Sequence, residues 1–332
     1  MFEKKKPSTE QVQDINKEQV TTDKPVSKEQ VANNPMNKPL EQAINKSNVL
    51  DADKAAYEAL KESLFMPVDT NINIDSVILS EENSKKIKEF LIEIENADKF
   101  IKYGLSPMNR LLFYGASGCG KTYLGKALSN KLGYTMLYVD IAEALSSNSV
   151  AKNIRAAFEI ANAGNTIIFL DECDSIAWNR NSDANDTGTV RRATNALFQA
   201  MDQMNPKTVI ICATNMLARL DPAFERRFNL KMRFERPKGN LVETILEFLK
   251  VEFEIINDCT DEQIRIVSQR TSMSFYEIQI IVERAMKRAI IANRTEIPLS
   301  DIFKDIAETM DLKLNFGTDI DDGQTFTHPT PF

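Results

Sequence analysis

From residue 110 onward the chain alternates between two hydrophobic patterns. Short runs dominated by apolar and β-branched residues fall at 111–114, 135–139, 166–170, 209–213 and 230–234. Stretches with helical spacing of apolar residues separate most of them. Continuous apolar runs joined by amphipathic helices predict a parallel sheet covered by helices on both faces. Upstream, Asn71-Ile72-Asn73-Ile74-Asp75 reads as a short extended piece. Ser80-Glu81-Glu82-Asn83 reads as a helix start, with Ile87, Phe90, Leu91 and Ile94 as the apolar stripe behind it. Ala55, Ala56, Leu60 and Leu64 predict a further short helix over 51–65. After Pro237 the β-branched runs stop, and residues 241–253, 261–269, 275–292 and 299–310 all carry helical patterns. They predict a second, all-helical unit.

The two ends read differently. Residues 1–50 are rich in Lys, Gln, Asn, Glu, Thr and Pro, with no aromatic between Phe2 and Tyr57. Such a segment cannot bury enough apolar surface to offset chain entropy, which predicts a disordered tail. It serves either as a solvated tail or as a tether that recruits a partner or substrate. The expected organisation is a tail (1–50), a helical linker (51–69), an α/β unit (70–236), a helical unit (237–311) and an extended polar tail (312–332).

Composition narrows the function classes. Of the 332 residues, 42% are hydrophobic and 27% charged, ordinary for a soluble globular protein. No apolar run approaches the ~20 residues that span a bilayer. Met1-Phe2-Glu3-Lys4-Lys5-Lys6 has no apolar stretch behind it and does not read as a secretory signal, so the expected location is cytoplasmic. The four cysteines, at positions 119, 173, 212 and 259, form no metal-ligand spacing and suit a reducing compartment. With a single histidine, His328, the chain cannot form an HExxH metalloprotease site. A net charge of −7 argues against a dedicated nucleic-acid binder, although a local basic patch fits within an acidic whole.

The chemistry is carried by four segments. Gly115-Ala116-Ser117-Gly118-Cys119-Gly120-Lys121-Thr122 fits the pattern G-x-x-x-x-G-K-[ST], between an expected strand and an expected helix. Its glycines let successive backbone N–H groups curl around phosphates. Lys121 supplies charge to the β- and γ-phosphates, and the Thr122 hydroxyl coordinates Mg²⁺. About 50 residues on, an apolar strand ends in Asp171-Glu172. The first carboxylate would hold the Mg²⁺ shell and the second would polarise the attacking water. A third strand ends in Thr214-Asn215, where Asn215 is a candidate to hold that water and sense the γ-phosphate. The fourth segment, Leu220-Asp221-Pro222-Ala223-Phe224-Glu225-Arg226-Arg227-Phe228, carries an arginine pair that is either a solvated patch or an arginine finger supplied to a neighbouring subunit.

Together these segments resemble the AAA family of ring ATPases over roughly residues 70–310. The resemblance rests on residues 110–122, Asp171-Glu172-Cys173-Asp174-Ser175-Ile176, Ala213-Thr214-Asn215, and Leu220 to Phe228. It implies an αβα sandwich whose parallel five-stranded sheet has the order 5-1-4-3-2, followed by a helical lid. It also implies ATP and ADP as ligands, Mg²⁺ as cofactor, and a homo-oligomeric ring, typically a hexamer, with nucleotide at the subunit interfaces. The Arg-Arg-Phe form is similar to katanin, spastin and small bacterial or phage members. By the same resemblance, Val77, Ile78, Tyr123, Leu124 and Tyr276 would approach the base or ribose. One departure concerns substrate. The loop over 144–152, where many members carry a substrate-gripping aromatic, has none, and a second polar loop over 179–188 follows Trp178. The leading expectation is an Mg²⁺-ATP-dependent remodeller of proteins or protein assemblies, with a protein substrate or adaptor recruited through the N-terminal tail. The alternatives are a nucleic-acid motor or loader, using Lys152, Arg155, Arg191 and Arg192, and a nucleotide-gated scaffold of a viral or defence assembly.

Overall fold

The structure is a computed structural model, and it describes residues 70–141, 150–162, 165–176, 188–237 and 241–311. The expected tails, the helix at 51–65, Trp178, and most of the loops at 144–152 and 179–188 lie outside the described residues.

Five strands form one parallel sheet: β1 (Arg110–Gly115), β2 (Thr135–Asp140), β3 (Thr166–Asp171), β4 (Val209–Thr214) and β5 (Leu230–Phe234). Their order is β2-β3-β4-β1-β5, which is the expected 5-1-4-3-2 order read from the other edge. Successive side chains along β1 to β4 enter different cores, as a period of two requires. Leu112, Val139, Ile168, Leu170, Ile210 and Cys212 belong to the core that also holds Phe158 and Leu197. Those last two lie on α4 (Val150–Ala161) and α5 (Gly188–Asp202). Leu111, Phe113, Ile167, Phe169, Ile211 and Ala213 belong to a second core, shared with Phe90 and Leu124. These come from α1 (Glu81–Glu95) and α3 (Lys121–Leu132). A short α2 (Ala97–Lys102) follows α1, and α6 (Pro222–Glu225) precedes β5.

The Ser80 side chain accepts from Asn83 N and starts α1 as the sequence indicates. The stretch at 71–75 is not simply extended. Asn73 Oδ1 accepts from Asp75 N (3.1 Å) and Ser76 Oγ donates to Asn73 O (2.7 Å), which folds Ile74–Ser76 into a 3₁₀ turn. Lys152, assigned to a loop, already lies in the first turn of α4.

The C-terminal unit packs α7 (Leu241–Phe248), α8 (Asp261–Arg270), α9 (Phe275–Ile291) and α10 (Leu299–Thr309) around Ile245, Val267, Ile281, Val282 and Phe303. The all-helical expectation needs one correction. Strands β6 (Glu254–Ile256) and β7 (Glu296–Pro298) pair in parallel, with Ile255 opposite Ile297. The helix expected over 241–253 stops at Phe248, and the chain turns so that Phe253 N bonds Lys250 O at 3.0 Å. The next three residues, Glu254-Ile255-Ile256, then form the short strand.

Candidate nucleotide site

The site is built where β1, β3 and β4 end side by side. The loop after β1 curls through left-handed backbone at Gly118 (φ 70°) and Gly120 (φ 92°) before α3 begins at Lys121. Two glycines are fixed by close approach as well as by φ. A Cβ on Gly115 would lie 1.9 Å from Phe234 O, and one on Gly118 would lie 2.6 Å from Ser274 Oγ. The second contact joins the loop to the C-terminal unit, and Tyr276 N donates to Gly118 O at 3.1 Å. Ser274 caps α9 and forms a reciprocal box with Glu277. Backbone and side-chain bonds from Ser274 hold the Glu277 carboxyl below the usual range.

Lys121 is only 8% exposed. Its Nζ donates to Gly115 O (2.7 Å), Ala116 O (2.8 Å) and Asn215 Oδ1 (2.7 Å). Burial lowers its pKa, against the attraction of Cys119, Asp171 and Asp174. Thr122 Oγ1 donates to Asp171 Oδ2 at 3.1 Å. Glu172 is exposed with left-handed backbone (φ 50°), and its N–H donates to Asp171 Oδ1 at 3.0 Å. Asn215 follows the last residue of β4. Thr214 Oγ1 donates to Asp174 Oδ1 (2.7 Å) and accepts from Met216 N (2.9 Å), which ties the end of β4 to the end of β3.

These groups border one cavity of about 640 Å³. Ile78, Ser117, Gly118, Cys119, Gly120 and Tyr123 line it, together with Tyr276, Val77, Lys121, Thr122, Asp171, Glu172 and Asn215. The Cys119 thiol is buried, and burial pushes its pKa up. Tyr123 Oη lies 3.1 Å from Ser76 Oγ. Gly115 and Ala116 are not among the lining residues; their carbonyls hold Lys121 instead. Leu124 is fully buried in the core and takes no part in the cavity wall.

Residues 111–236 match the model of the ATPase family associated with various cellular activities (AAA). A relative named "Uncharacterized AAA family ATPase y4kL", from Sinorhizobium fredii (strain NBRC 101917 / NGR234), is 32% identical over 231 residues. That match covers 69% of this chain and 68% of the relative. The chain belongs to the AAA family. It binds and hydrolyses ATP.

Several residues of this AAA ATPase that border the site carry no motif of their own. Tyr138, near the end of β2, donates its phenol to Asp171 Oδ2 at 3.0 Å. Phe248 and Gln279 bring the C-terminal unit to the cavity wall. Gly125 lets α3 lie against Phe169, since a Cβ there would fall 2.6 Å from the ring. The only sequence signal for Tyr138 is its place near the end of an apolar strand beside the one that carries the acids.

The arginine pair is not part of the cavity wall in its own chain. Arg227 folds back: its NH1 donates to Ala223 O (2.8 Å), its NH2 meets Asp202 Oδ2 (3.4 Å), and its guanidinium lies 4.1 Å above the Phe198 ring. Arg226 is exposed, and its side chain has no hydrogen bond or ion pair among the described residues. Also among the described residues, no helix of the AAA ATPase is long and apolar enough to cross a membrane.

Proposed function

We propose that this AAA ATPase hydrolyses Mg²⁺-ATP at the subunit interfaces of a homo-oligomeric ring, typically a hexamer, and uses the cycle to remodel proteins or protein assemblies in the cytoplasm. The observation that carries the ring is a missing charge. Among the described residues, those that line the cavity include one cation, Lys121, and no arginine. In phosphoryl transfer, charge spreads over the γ-phosphoryl oxygens, and a guanidinium supplied in trans is worth roughly 10³–10⁵ in rate. Arg226, exposed and unengaged, is the residue to supply it to a neighbour.

Within one chain, the N–H groups of the loop and Lys121 receive the phosphates. The donor set fits Mg²⁺: the Thr122 hydroxyl and the Asp171 carboxylate are hard oxygen donors 3.1 Å apart. No cluster of three or more His, Cys, Asp or Glu suited to a metal exists among the described residues. That suits an ion held by one or two protein oxygens together with substrate phosphates. When bound, Mg²⁺ neutralises phosphate charge. Glu172, exposed at the cavity edge, takes the proton of the attacking water as its oxygen bonds to the γ-phosphorus and the bond to the β–γ bridging oxygen breaks. Asn215 holds that water. Ile78, Tyr123 and Tyr276 contact the base or ribose. The tail over 1–50 recruits the protein substrate or adaptor.

Mixing Arg226→Ala subunits with Lys121→Ala subunits tests the ring. Each variant alone is expected to be inactive, and mixed assemblies should recover activity at interfaces that combine an intact Lys121 with an intact Arg226. Absence of recovery in assemblies shown to have mixed would overturn the reading. A second reading, a nucleic-acid motor, is favoured by exposed Lys152, Arg155, Arg191 and Arg192 on the packed pair α4 and α5. Salt-sensitive stimulation of the ATPase by DNA or RNA would support it; no stimulation favours a protein substrate.

A further inference from the structure

We propose that Tyr138 is a positioning residue that fixes the Asp171 carboxylate and thereby sets the affinity of the site for Mg²⁺. The inference rests on the assignment of Thr122 and Asp171 as the pair that holds the ion.

The geometry follows from the register of two parallel strands. Tyr138 lies directly opposite Phe169, and Asp140 lies opposite Asp171. Side chains at Tyr138, Phe169 and Asp171 therefore emerge on one face of the sheet, because Phe169 and Asp171 are two residues apart. The Tyr138 ring stacks on Phe169, with centroids 5.7 Å apart and planes 10° from parallel. Phe169 is itself fully buried, with the Gly125 backbone of α3 close against its ring. The stack allows the tyrosine ring little freedom and holds its phenol at Asp171 Oδ2, 3.0 Å away.

Asp171 Oδ2 thus receives two donors, Thr122 Oγ1 (3.1 Å) and Tyr138 Oη (3.0 Å), while Oδ1 receives Glu172 N (3.0 Å). Thr122 belongs to the phosphate-loop motif, and Glu172 is the second residue of the acidic pair. Tyr138 is the one donor of the three that belongs to neither the phosphate loop nor the acidic pair, and it is anchored in the core. Groups that orient a metal-binding carboxylate in this way typically contribute 10–100-fold to metal affinity when removed.

The test is Tyr138→Phe in the full chain, which keeps the ring stack and deletes only the hydroxyl. Binding of a fluorescent ATP analogue is measured with Mg²⁺ over a range of concentrations and with chelator, alongside a thermal melt. The expected result is a roughly 10-fold higher Mg²⁺ concentration for half-maximal enhancement of binding. Metal-free nucleotide affinity and the melting temperature should match the parent. An unchanged Mg²⁺ dependence overturns the proposal, as does an equal loss of metal-free binding, which would show general damage to the pocket. Thr122→Ala and Asp171→Asn run in parallel. If neither alters the Mg²⁺ dependence, the assignment of the metal pair fails. If both do and Tyr138→Phe does not, only the role of Tyr138 fails.

Discussion

Lys121 and Asn215, 94 positions apart, meet at 2.7 Å, with the ammonium donating to the amide oxygen. The lysine proposed to receive the phosphates is thereby tied to the residue proposed to hold water, and the same ammonium also bonds two carbonyls of its own loop. Arriving phosphates must compete for that ammonium. Asn215→Ala removes one competitor, so ATP affinity should be preserved or slightly improved, while kcat falls by roughly 10²-fold through loss of the water-orienting amide. Asn215→Asp keeps the acceptor and adds a charge beside a lysine that burial already makes costly to ionise. That variant should hold Lys121 as an ion pair and weaken ATP binding severalfold. Equilibrium nucleotide binding combined with single-turnover hydrolysis separates the two. Equal ATP affinity in the Ala and Asp variants would show that the contact does not govern binding.

Arg226 and Arg227 are neighbours with different surroundings. Arg227 is pinned over Phe198, which stacks on Phe224, which in turn meets Phe228 edge-on at 4.9 Å. Arg227→Ala should therefore lower stability by about 1–2 kcal/mol, from one cation–π contact and a hydrogen bond to Ala223 O. Arg226→Ala should leave the melting temperature unchanged and reduce turnover roughly 10³-fold if it serves a neighbouring site. Thermal melts and steady-state ATPase on both variants check the split. A destabilised Arg226→Ala variant would contradict the assignment of that side chain as free.

The central strands β3 and β4 were legible because each run is buried on both faces, which leaves a continuous apolar signature in a short window, whereas β5 alternates buried Leu230, Met232 and Phe234 with the more exposed Lys231 and Arg233. The capped helix start at Ser80 was legible for a similar local reason: the capping side chain lies within three residues of the N–H it serves. The β6–β7 pair was not legible. Strands of three residues, such as Glu254-Ile255-Ile256, merge with helical spacing when an apolar helix precedes them. Nor was the Lys121–Asn215 bond, which depends on β1 lying beside β4 so that Tyr114 pairs with Thr214. The separate environments of Arg226 and Arg227 depend on aromatic packing from α5, distant in sequence. Tyr138 shows the same limit: a tyrosine near a strand end has chemical meaning only once the neighbouring strand and its register are known.

Gly125 sits mid-helix, where alanine would ordinarily gain about 1 kcal/mol in helix propensity. Here the gain is outweighed. A Cβ would meet Phe169 Cε2 at 2.6 Å and Cδ2 at 2.7 Å, in a fully buried ring already stacked on Tyr138. Over-packing a closed core costs about 1–3 kcal/mol. Gly125→Ala should thus be net destabilising by roughly 1 kcal/mol, and relief of the clash would move α3 away from β3. Since α3 also carries Thr122, its bond to Asp171 should lengthen, and the Mg²⁺ requirement for tight nucleotide binding should rise. Denaturant melts and a Mg²⁺ titration of nucleotide binding measure both effects. A stabilised variant would mean that the helix moves freely at this point.

The C-terminal unit offers a prediction with a defined sign in pH. Helix α10 starts after Pro298, which has no side chain to cap it. Asp258, from the loop after β6, substitutes: its carboxylate accepts from Ser300 N (2.9 Å) and Ser300 Oγ (2.6 Å). Partial desolvation raises the Asp258 pKa, but the bonds from Ser300 outweigh it, and the net shift is downward from 3.8. A carboxyl whose folded pKa is depressed contributes stability that is fully present above its unfolded pKa and is lost as pH falls through the folded value. Asp258→Asn keeps an acceptor but loses the charge that favours a helix N-terminus. At neutral pH, Asp258→Ala should cost about 0.5–1 kcal/mol, the low end for a cap because the carboxylate is exposed. The difference between the parent and Asp258→Ala should shrink as pH is lowered below about 4. Denaturant unfolding across that range tests it. A difference independent of pH would assign the effect to packing against Ser300 and remove the carboxylate from the account of how α10 begins.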